Sequence, residues 1–201
     1  MILIGIGNKA RQGKDTAASF ICEHFVDWNG AIYPFAKALK YYCKEHHEEL
    51  VTQWRLKHQT KSLYPVQKDD PIYGFTEILQ DTGASMRDLD PLFWVNKNFQ
   101  HIELEDREIA LVPDVRYKNE AQFIKDRGGI LIQVIRINND GTQFIDPNRD
   151  PNHPSEIELD DYLGWDFIIR AKNVDQLYMK MRGLCNDFIA PQLDNDATGL
   201  A

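Results

Sequence analysis

The sequence predicts an α/β fold in which helices cover both faces of a mainly parallel sheet. Two observations support this prediction: short apolar runs alternate with longer segments of helical periodicity, and the apolar runs are nearly continuous. Strands buried on both faces have this composition, whereas a sheet with one solvated face alternates apolar and polar residues. A chain of 201 residues is also long enough to bury a core without a disulfide or metal.

Five apolar runs are predicted to form the strands. Each is rich in branched or aromatic side chains and is bounded by polar or glycine-containing segments, which is the pattern of a buried strand. In chain order the runs are Ile2–Ile6, Ala31–Phe35, Glu108–Val112, Ile130–Ile137 and Trp165–Ile169. A segment long enough for a helix follows each run, as the crossover connections of a parallel sheet require.

Helices are predicted where apolar residues recur at helical spacing between these strands. In the first helix, over 15–26, Ala18, Ile21 and Phe25 supply buried positions. Another helix, over 119–126, ends at a pair of glycines, which adopt the left-handed backbone common after a helix. The other predicted helices cover 36–58, 75–85, 92–102 and 174–189.

We interpret residues 1–190 as a single domain with two insertions, followed by a flexible tail at 191–201. One insertion is expected at about 51–105, and the role of its polar stretch 59–71 is unknown. The other, at about 137–157, lacks apolar periodicity and contains three prolines. Loops of this length in compact domains are usually functional or disordered.

The net charge and the cysteine content of the chain limit the classes of function that it can have. The net charge of −8 argues against duplex nucleic acid as the main partner, because phosphate backbones are bound by clustered Lys and Arg. Three dispersed cysteines without a CxxC pair are typical of reduced thiols in a cytosolic protein. Since the apolar start is too short for a signal peptide and no run approaches the roughly 20 residues of a membrane span, we expect a cytoplasmic protein without a membrane partner.

The turn after the first strand resembles a phosphate-binding P-loop. It reads Gly-Asn-Lys-Ala-Arg-Gln-Gly-Lys-Asp-Thr, against the pattern G-x-x-x-x-G-K-[ST]. Gly13 and Lys14 match, whereas Asn8 replaces the first glycine and Asp15 precedes the hydroxyl residue Thr16. Asn8 is one of the few other residue types that tolerate a left-handed backbone. The alternative is a glycine-containing turn at a helix start with a solvated lysine.

A P-loop binds nucleoside triphosphates through a nest of backbone N–H groups, a lysine and a hydroxyl beside Mg²⁺. The predicted ATP-phosphate ligands are Arg11, Gly13, Lys14, Asp15 and Thr16, with Thr16 or Asp15 near Mg²⁺. The sequence Gly-Lys-Asp-Thr also resembles the Gly-Lys-x-Thr loop of nucleoside monophosphate kinases of the adenylate kinase type. That resemblance implies a P-loop NTPase fold, a three-layer sandwich of helices around the sheet.

Further segments, in order over about residues 2–185, resemble phage deoxynucleoside monophosphate kinases. They are the segments 35–40, 78–83 with 87–95, the Asp-Val-Arg turn and Asn-Glu-Ala helix within 112–121, the His-x-Ser-Glu motif at 153–156 with 159–161, and the strand at 165–169. The departures from the family pattern are Asn8 and residues within 35–40.

This resemblance implies transfer of the γ-phosphoryl group of ATP, with Mg²⁺, to the 5′-phosphate of a deoxynucleoside monophosphate. It also implies that the insertion at 51–105 binds substrate, that the loop at 137–157 closes as a lid, and that a homodimer is compatible with the family. The phage assignment would place the protein in the host cytoplasm. Which bases are accepted stays open.

The resemblance assigns catalytic roles beyond the P-loop. Asp114 ends a buried strand and is expected to hold metal-bound water; the alternative is a cap on the following turn. Arg116 and Arg87 are expected to bind the acceptor phosphate, because a guanidinium binds phosphate bidentately. Either arginine could instead pair with a carboxylate, and Arg87 has Asp88 nearby.

The remaining candidates lie on the substrate side or at the donor base. Lys37, Gln80, Trp94, Arg149 and Glu156 are predicted substrate contacts, and Lys172 lies in a turn resembling the adenine-contacting turn of such kinases. Simpler interpretations are a solvated lysine for Lys37, core packing for Trp94 and a helix-start carboxylate for Glu156.

Two other functions stay open. Animal phosphomevalonate kinases share the Asp-x-Arg turn and a Ser-Glu-x-x-Leu-Asp segment, so the acceptor could be another phosphorylated small molecule. The altered P-loop could also bind ATP without transferring its phosphate. The intact Gly13 and Lys14, together with Asp114 and Arg116, favour an enzyme.

Overall fold

A computed structural model of the chain describes residues 1–46, 48–50 and 76–198. The predicted loop at 59–71, most of the second half of the predicted helix over 36–58 and part of the predicted insertion lie outside these residues. In the part of the chain that is described, no helix is both long and apolar enough to cross a membrane. The cytoplasmic location stays a prediction.

The described strands form a five-stranded sheet in the order β2-β3-β1-β4-β5. Every neighbouring pair is parallel. The strands are β1 Ile2–Gly7, β2 Gly30–Ile32, β3 Ile109–Val115, β4 Ile130–Arg136 and β5 Phe167–Ala171. All five predicted apolar runs therefore overlap strands of the sheet.

Helices connect these strands and follow the last of them. They are α1 Lys14–His24, α2 Phe35–Glu45, α3 Thr76–Leu89, α4 Phe93–Leu104, α5 Lys118–Asp126, α6 Pro154–Ile157, α7 Val174–Leu184 and α8 Ala190–Thr198, with a π-helical turn at Cys185–Ile189. Helices α1 to α5 and α7 each begin within one residue of a predicted helix. Helices α6 and α8 were not predicted, and α6 lies at the end of the predicted lid.

The core lies on both faces of the central strand β1, whose residues are all buried. On one face, Ile4 packs in a cluster with Ile21 of α1 and Leu177 of α7. On the other face, Gly5 lies so close to α5 that an added Cβ would come within 2.6 Å of Ile124. Because side chains alternate between the faces of a strand, helices cover both sides. The predicted three-layer P-loop NTPase fold is confirmed.

The chain forms two compact units, one comprising Met1–Pro34 with His101–Ala201 and the other Phe35–Gln100. The first unit holds the whole sheet. In the second, Trp94 packs edge-on against Tyr42 with ring centroids 5.6 Å apart. The domain bounds proposed from the sequence stay a prediction.

The C-terminal region differs from the expected flexible tail, because helix α8 covers Ala190–Thr198. Two apolar residues explain the helix: Ile189 is 0% exposed and Leu193 is 2% exposed, and both belong to the core cluster. The π-helical turn ends at Ile189, two residues before Pro191, whose ring nitrogen lacks a backbone donor. The polar composition of the segment concealed this buried side.

Candidate active site

The carboxyl ends of four strands bring the predicted functional residues of the sheet unit to one edge. The P-loop follows β1, Asp114 and Arg116 lie at the end of β3, Arg136 ends β4, and Lys172 follows β5. Ligands bind at this edge in open parallel sheets, because the loops there converge and helix N-termini point towards them.

The backbone of the P-loop needs three residues with positive φ. They are Asn8 at 137°, Arg11 at 54° and Gly13 at 97°. The predicted tolerance of Asn8 for such a backbone is therefore confirmed. Its buried side chain also holds the loop: Nδ2 donates to the Val134 carbonyl at 2.8 Å, and Oδ1 accepts from the Lys9 N–H at 2.7 Å. Replacement of the usual glycine thus adds two hydrogen bonds rather than abolishing the turn.

Lys14 is the first residue of α1, and only 5% of it is exposed. Its Nζ donates a hydrogen bond to the Lys9 carbonyl. Burial lowers the pKa of Lys14 to about 7, and the nearby positive charge of Arg116 acts in the same direction. Three carboxylates counteract this effect, those of Asp15, Asp114 and Glu156. The tertiary structure therefore brings to Lys14 three charged residues that lie far from it in the sequence, Asp114, Arg116 and Glu156.

Glu156 connects Arg116 to the P-loop. Its Oε1 accepts from Arg116 Nη1 at 2.7 Å, and its Oε2 accepts from the Ala10 N–H at 2.9 Å. The carboxylate was predicted to contact substrate, but both of its oxygens are used within the chain. It does lie in the first turn of α6, as the simpler interpretation expected. Arg116 thus has the carboxylate partner that the sequence analysis left open.

A second buried glutamate fixes the backbone at the start of α5. Oε2 of Glu120 accepts from the N–H of Arg116 at 2.7 Å and from that of Tyr117 at 3.1 Å. Glu120 is 5% exposed and lies in the first turn of its helix, where a carboxylate satisfies N–H groups that have no helical partner. The Asn-Glu-Ala part of the motif therefore orients the Asp-Val-Arg part.

A cavity of about 550 Å³ lies between the P-loop and the turn that follows β5. This volume lies within the range of small-ligand sites. The cavity brings together five predicted residues, Arg11, Gly13, Asp15, Thr16 and Lys172. Ala171 and Asn173 also line the cavity and flank Lys172 in the turn that resembles an adenine-contacting turn. The sequence analysis did not assign Gln12, Val174 and Leu177 to a site, and Arg136 lines the cavity as well.

The segment after β4 contacts the tip of the P-loop. Gln12, 2% exposed, donates from Nε2 to the Phe144 carbonyl at 2.7 Å and accepts the Arg136 N–H on Oε1 at 2.8 Å. Nε of Arg11 lies 2.9 Å from Oδ2 of the buried Asp146. The sequence signalled none of these contacts, because a single polar residue in a loop does not reveal a partner more than a hundred positions away.

The predicted lid arginine, Arg149, is exposed. It lines a recess of about 30 Å³ together with Lys9, Asp146 and Glu156. The recess lies on the same segment that carries the contacts to the P-loop. Closure of this segment as a lid stays a prediction.

The predicted metal ligands Thr16, Asp15 and Asp114 carry oxygen atoms of the type that magnesium prefers. Among the described residues, no group of three or more His, Cys, Asp or Glu could hold a metal ion. Thr16 and Asp114 are half-buried and Asp15 is exposed, and each carries an oxygen of the type that magnesium prefers. Mg²⁺ in kinase sites needs only one or two protein oxygens, because phosphates and water complete its shell.

The substrate-side candidates of the unit Phe35–Gln100 differ in exposure. Lys37 and Gln80 are exposed, and Arg87 is half-buried. Trp94 is 3% exposed, and its indole N–H donates to the Gly83 carbonyl at 3.1 Å. This geometry favours the core interpretation of Trp94 over a substrate contact.

The sheet order and the P-loop between β1 and α1 define the class of protein, a P-loop NTPase of the α/β type. The chain is 30% identical over 206 aligned residues to "Putative deoxynucleotide monophosphate kinase" of Acanthamoeba polyphaga mimivirus, covering 90% of this chain and 94% of the viral protein. The chain belongs to the nucleoside monophosphate kinase-like family that this relative represents, and its enzyme class is that of a phosphotransferase. The phage subdivision stays a prediction.

No family model matches the chain. Two solved shikimate kinases are similar over most of their length. The one from Bacteroides thetaiotaomicron is 12% identical, covers 92% of this chain and 96% of its own, and has a TM-score of 0.42. The one from Aquifex aeolicus is 10% identical, covers 98% and 99%, and has a TM-score of 0.39.

Proposed function

We propose that the protein transfers the γ-phosphoryl group of ATP to the 5′-phosphate of a deoxynucleoside monophosphate, giving ADP and the diphosphate for DNA synthesis. The observation that carries the proposal is the convergence of Lys14, Asp114 and Arg116 at the sheet edge that also holds the nucleotide-sized cavity. The substrate class follows from the name of the viral relative and from the phage-like motifs.

On the donor side, the chain would bind anionic phosphates with groups already in place. Backbone N–H groups of the P-loop and the start of α1 favour negative charge, and Lys14 supplies a point charge beside them. Arg116 can bind the transferring phosphoryl group through two parallel hydrogen bonds. Little covalent chemistry is required of a kinase, so alignment and charge neutralisation account for most of the rate.

Magnesium would supply further neutralisation of the phosphate charges, with Thr16, Asp15 or Asp114 holding it or its water. The turn containing Lys172 would hold the donor base, at the end of the cavity formed by residues 171–174 and Leu177. Arg136 lines the same cavity, and its guanidinium lies 4.3 Å from the centre of the Phe144 ring.

On the acceptor side, we propose that Arg87, Lys37 and Gln80 bind the monophosphate. We further propose that the segment 137–157 closes over the phosphates with Arg149. Closure would exclude water, which otherwise competes with the acceptor for the phosphoryl group.

The test is ADP release from ATP and Mg²⁺ with each of the four deoxynucleoside monophosphates, with the diphosphate product identified by chromatography. We expect acceptor-dependent turnover with one or more of them, and its loss in Lys14→Ala. Lys180→Ala, an exposed lysine on α7, is the matched control and should retain activity. ATP binding without transfer to any of the four would contradict the proposed acceptor and favour another phosphorylated substrate or a nucleotide sensor.

A further inference from the structure

The short helix α6 is attached to both halves of the phosphate site. Besides the two bonds of the Glu156 carboxylate, the Glu156 carbonyl accepts from Lys9 Nζ at 2.6 Å. The Ser155 carbonyl lies 3.4 Å from Arg116 Nη1. One turn of chain therefore contacts the P-loop at Lys9 and Ala10 and the guanidinium that follows β3.

The carboxylate of Glu156 is in an environment where its charge matters. The residue is 7% exposed, and its acceptors face one guanidinium and one backbone N–H. Removing one partner of a buried, hydrogen-bonded ion pair leaves an uncompensated charge, so the position of the other partner is not maintained. Arg116 makes this contact through Nη1.

We propose that Glu156 is a positioning residue for phosphoryl transfer, which sets the guanidinium of Arg116 and the P-loop backbone at Ala10 at a fixed separation. The inference rests on the proposed function, since it needs a phosphate that both groups bind. A bridging carboxylate determines the distance between the groups it connects, and small errors in the alignment of reacting phosphates are costly in rate. Because α6 ends the segment 137–157, displacement of that segment would be transmitted to Arg116 through the same carboxylate.

The decisive variant is Glu156→Gln, which keeps the shape of the side chain. The single amide oxygen of glutamine can accept only one of the two hydrogen bonds. Its NH₂ group would face the remaining N–H donor, so the second bond is lost. We expect kcat to fall by about 10- to 100-fold while the KM for ATP changes by less than about 3-fold. Asp160→Asn is the matched control, because the exposed Asp160, which follows α6, binds Lys9 Nζ and has no hydrogen bond to Arg116. Its kcat should stay within about 2-fold of the wild type.

A double-mutant cycle distinguishes positioning from a purely structural role. If Glu156 acts through Arg116, adding Glu156→Gln to Arg116→Ala should leave kcat within about 3-fold of Arg116→Ala alone. Independent, multiplicative losses would overturn the inference, as would a Glu156→Gln variant with wild-type kcat. Thermal unfolding of the wild type, the two single variants and the double variant checks that all four proteins are folded.

Failure of the proposed function would give a different experimental result from failure of the positioning inference. If the wild type transfers phosphate to none of the monophosphates, the same cycle is measured on ATP affinity by calorimetric titration. Non-additive losses of ATP affinity would support the Glu156–Arg116 coupling although the acceptor is wrong, and additive losses would overturn it. If the wild type does transfer but the kcat losses multiply, the positioning inference fails and the kinase proposal stands.

Discussion

Lys14 and Arg116 of the sheet unit are held differently from Lys37 of the unit Phe35–Gln100. Lys14 is buried, and Arg116 is fixed by bonds to Glu156 and Glu120. Lys37, in contrast, is exposed on the first turn of α2. A preorganised charge favours a transition state without further ordering, whereas an exposed flexible charge mainly contributes to binding. Variants in the first group should therefore reduce kcat, and variants in the second should raise KM.

The largest effect is expected for Lys14→Met. Methionine fills a similar volume but removes the buried charge, so we expect kcat/KM for phosphoryl transfer to fall by about 1,000-fold, a loss typical of a group that stabilises the transition state. The coupled assay for ADP measures this loss. A decrease of only a few fold would place Lys14 outside the chemistry and remove the contrast between the two regions.

A substantial loss of stability is expected for Asn8→Ala. Alanine retains neither side-chain hydrogen bond, and it must adopt the positive φ of 137°. The free energy of unfolding should fall by about 1–3 kcal/mol, measured by urea denaturation.

Asn8→Gly is the matched variant for the same position, and it restores the glycine of the strict motif. It removes the hydrogen bonds but relieves the backbone, so its loss should be smaller than that of alanine. Equal losses in both variants would show that the backbone conformation contributes little.

A smaller effect is expected for Lys37→Ala. Because this ammonium is exposed, its removal should raise the KM for the monophosphate by about 3- to 10-fold and leave kcat within about 2-fold. Steady-state kinetics with the acceptor varied would measure both values. A selective fall in kcat would mean that this unit also contributes preorganised charge, and the comparison would fail.

The smallest expected effect is the uptake of a fraction of a proton by the protein when ATP binds. The pKa of Lys14 is about 7 in the free protein, and adjacent phosphates would raise it. At pH 8 the free side chain is therefore mostly neutral and the bound one mostly protonated, so binding should take up a fraction of a proton. At pH 6 both forms are protonated, and uptake through Lys14 should vanish.

Calorimetric titrations in two buffers of different ionisation enthalpy would measure this uptake. The Lys14→Met variant should abolish the pH 8 uptake, whereas Lys180→Ala should retain it. Uptake that persists without Lys14 would assign the titration to another group.

Structural features that depend on residues close together in the sequence could be predicted well. The apolar runs revealed the strands because a strand buried on both faces needs a continuous run of apolar residues. Gly13 and Lys14 revealed the P-loop because its turn is built from consecutive residues. The C-terminal helix was missed, since Ile189 and Leu193 are buried only through contact with the rest of the core.

The sequence by itself determined the class of fold, the phosphate-binding turn and the residue types able to bind phosphate and metal, because these depend on local spacing. Only the tertiary structure decided their partners. Glu156 bonds to Ala10 across 146 positions, and Gln12 bonds to Phe144 across 132. A carboxylate that binds substrate and one that binds a neighbouring arginine have the same local sequence. They differ only in what the folded chain places within hydrogen-bonding distance.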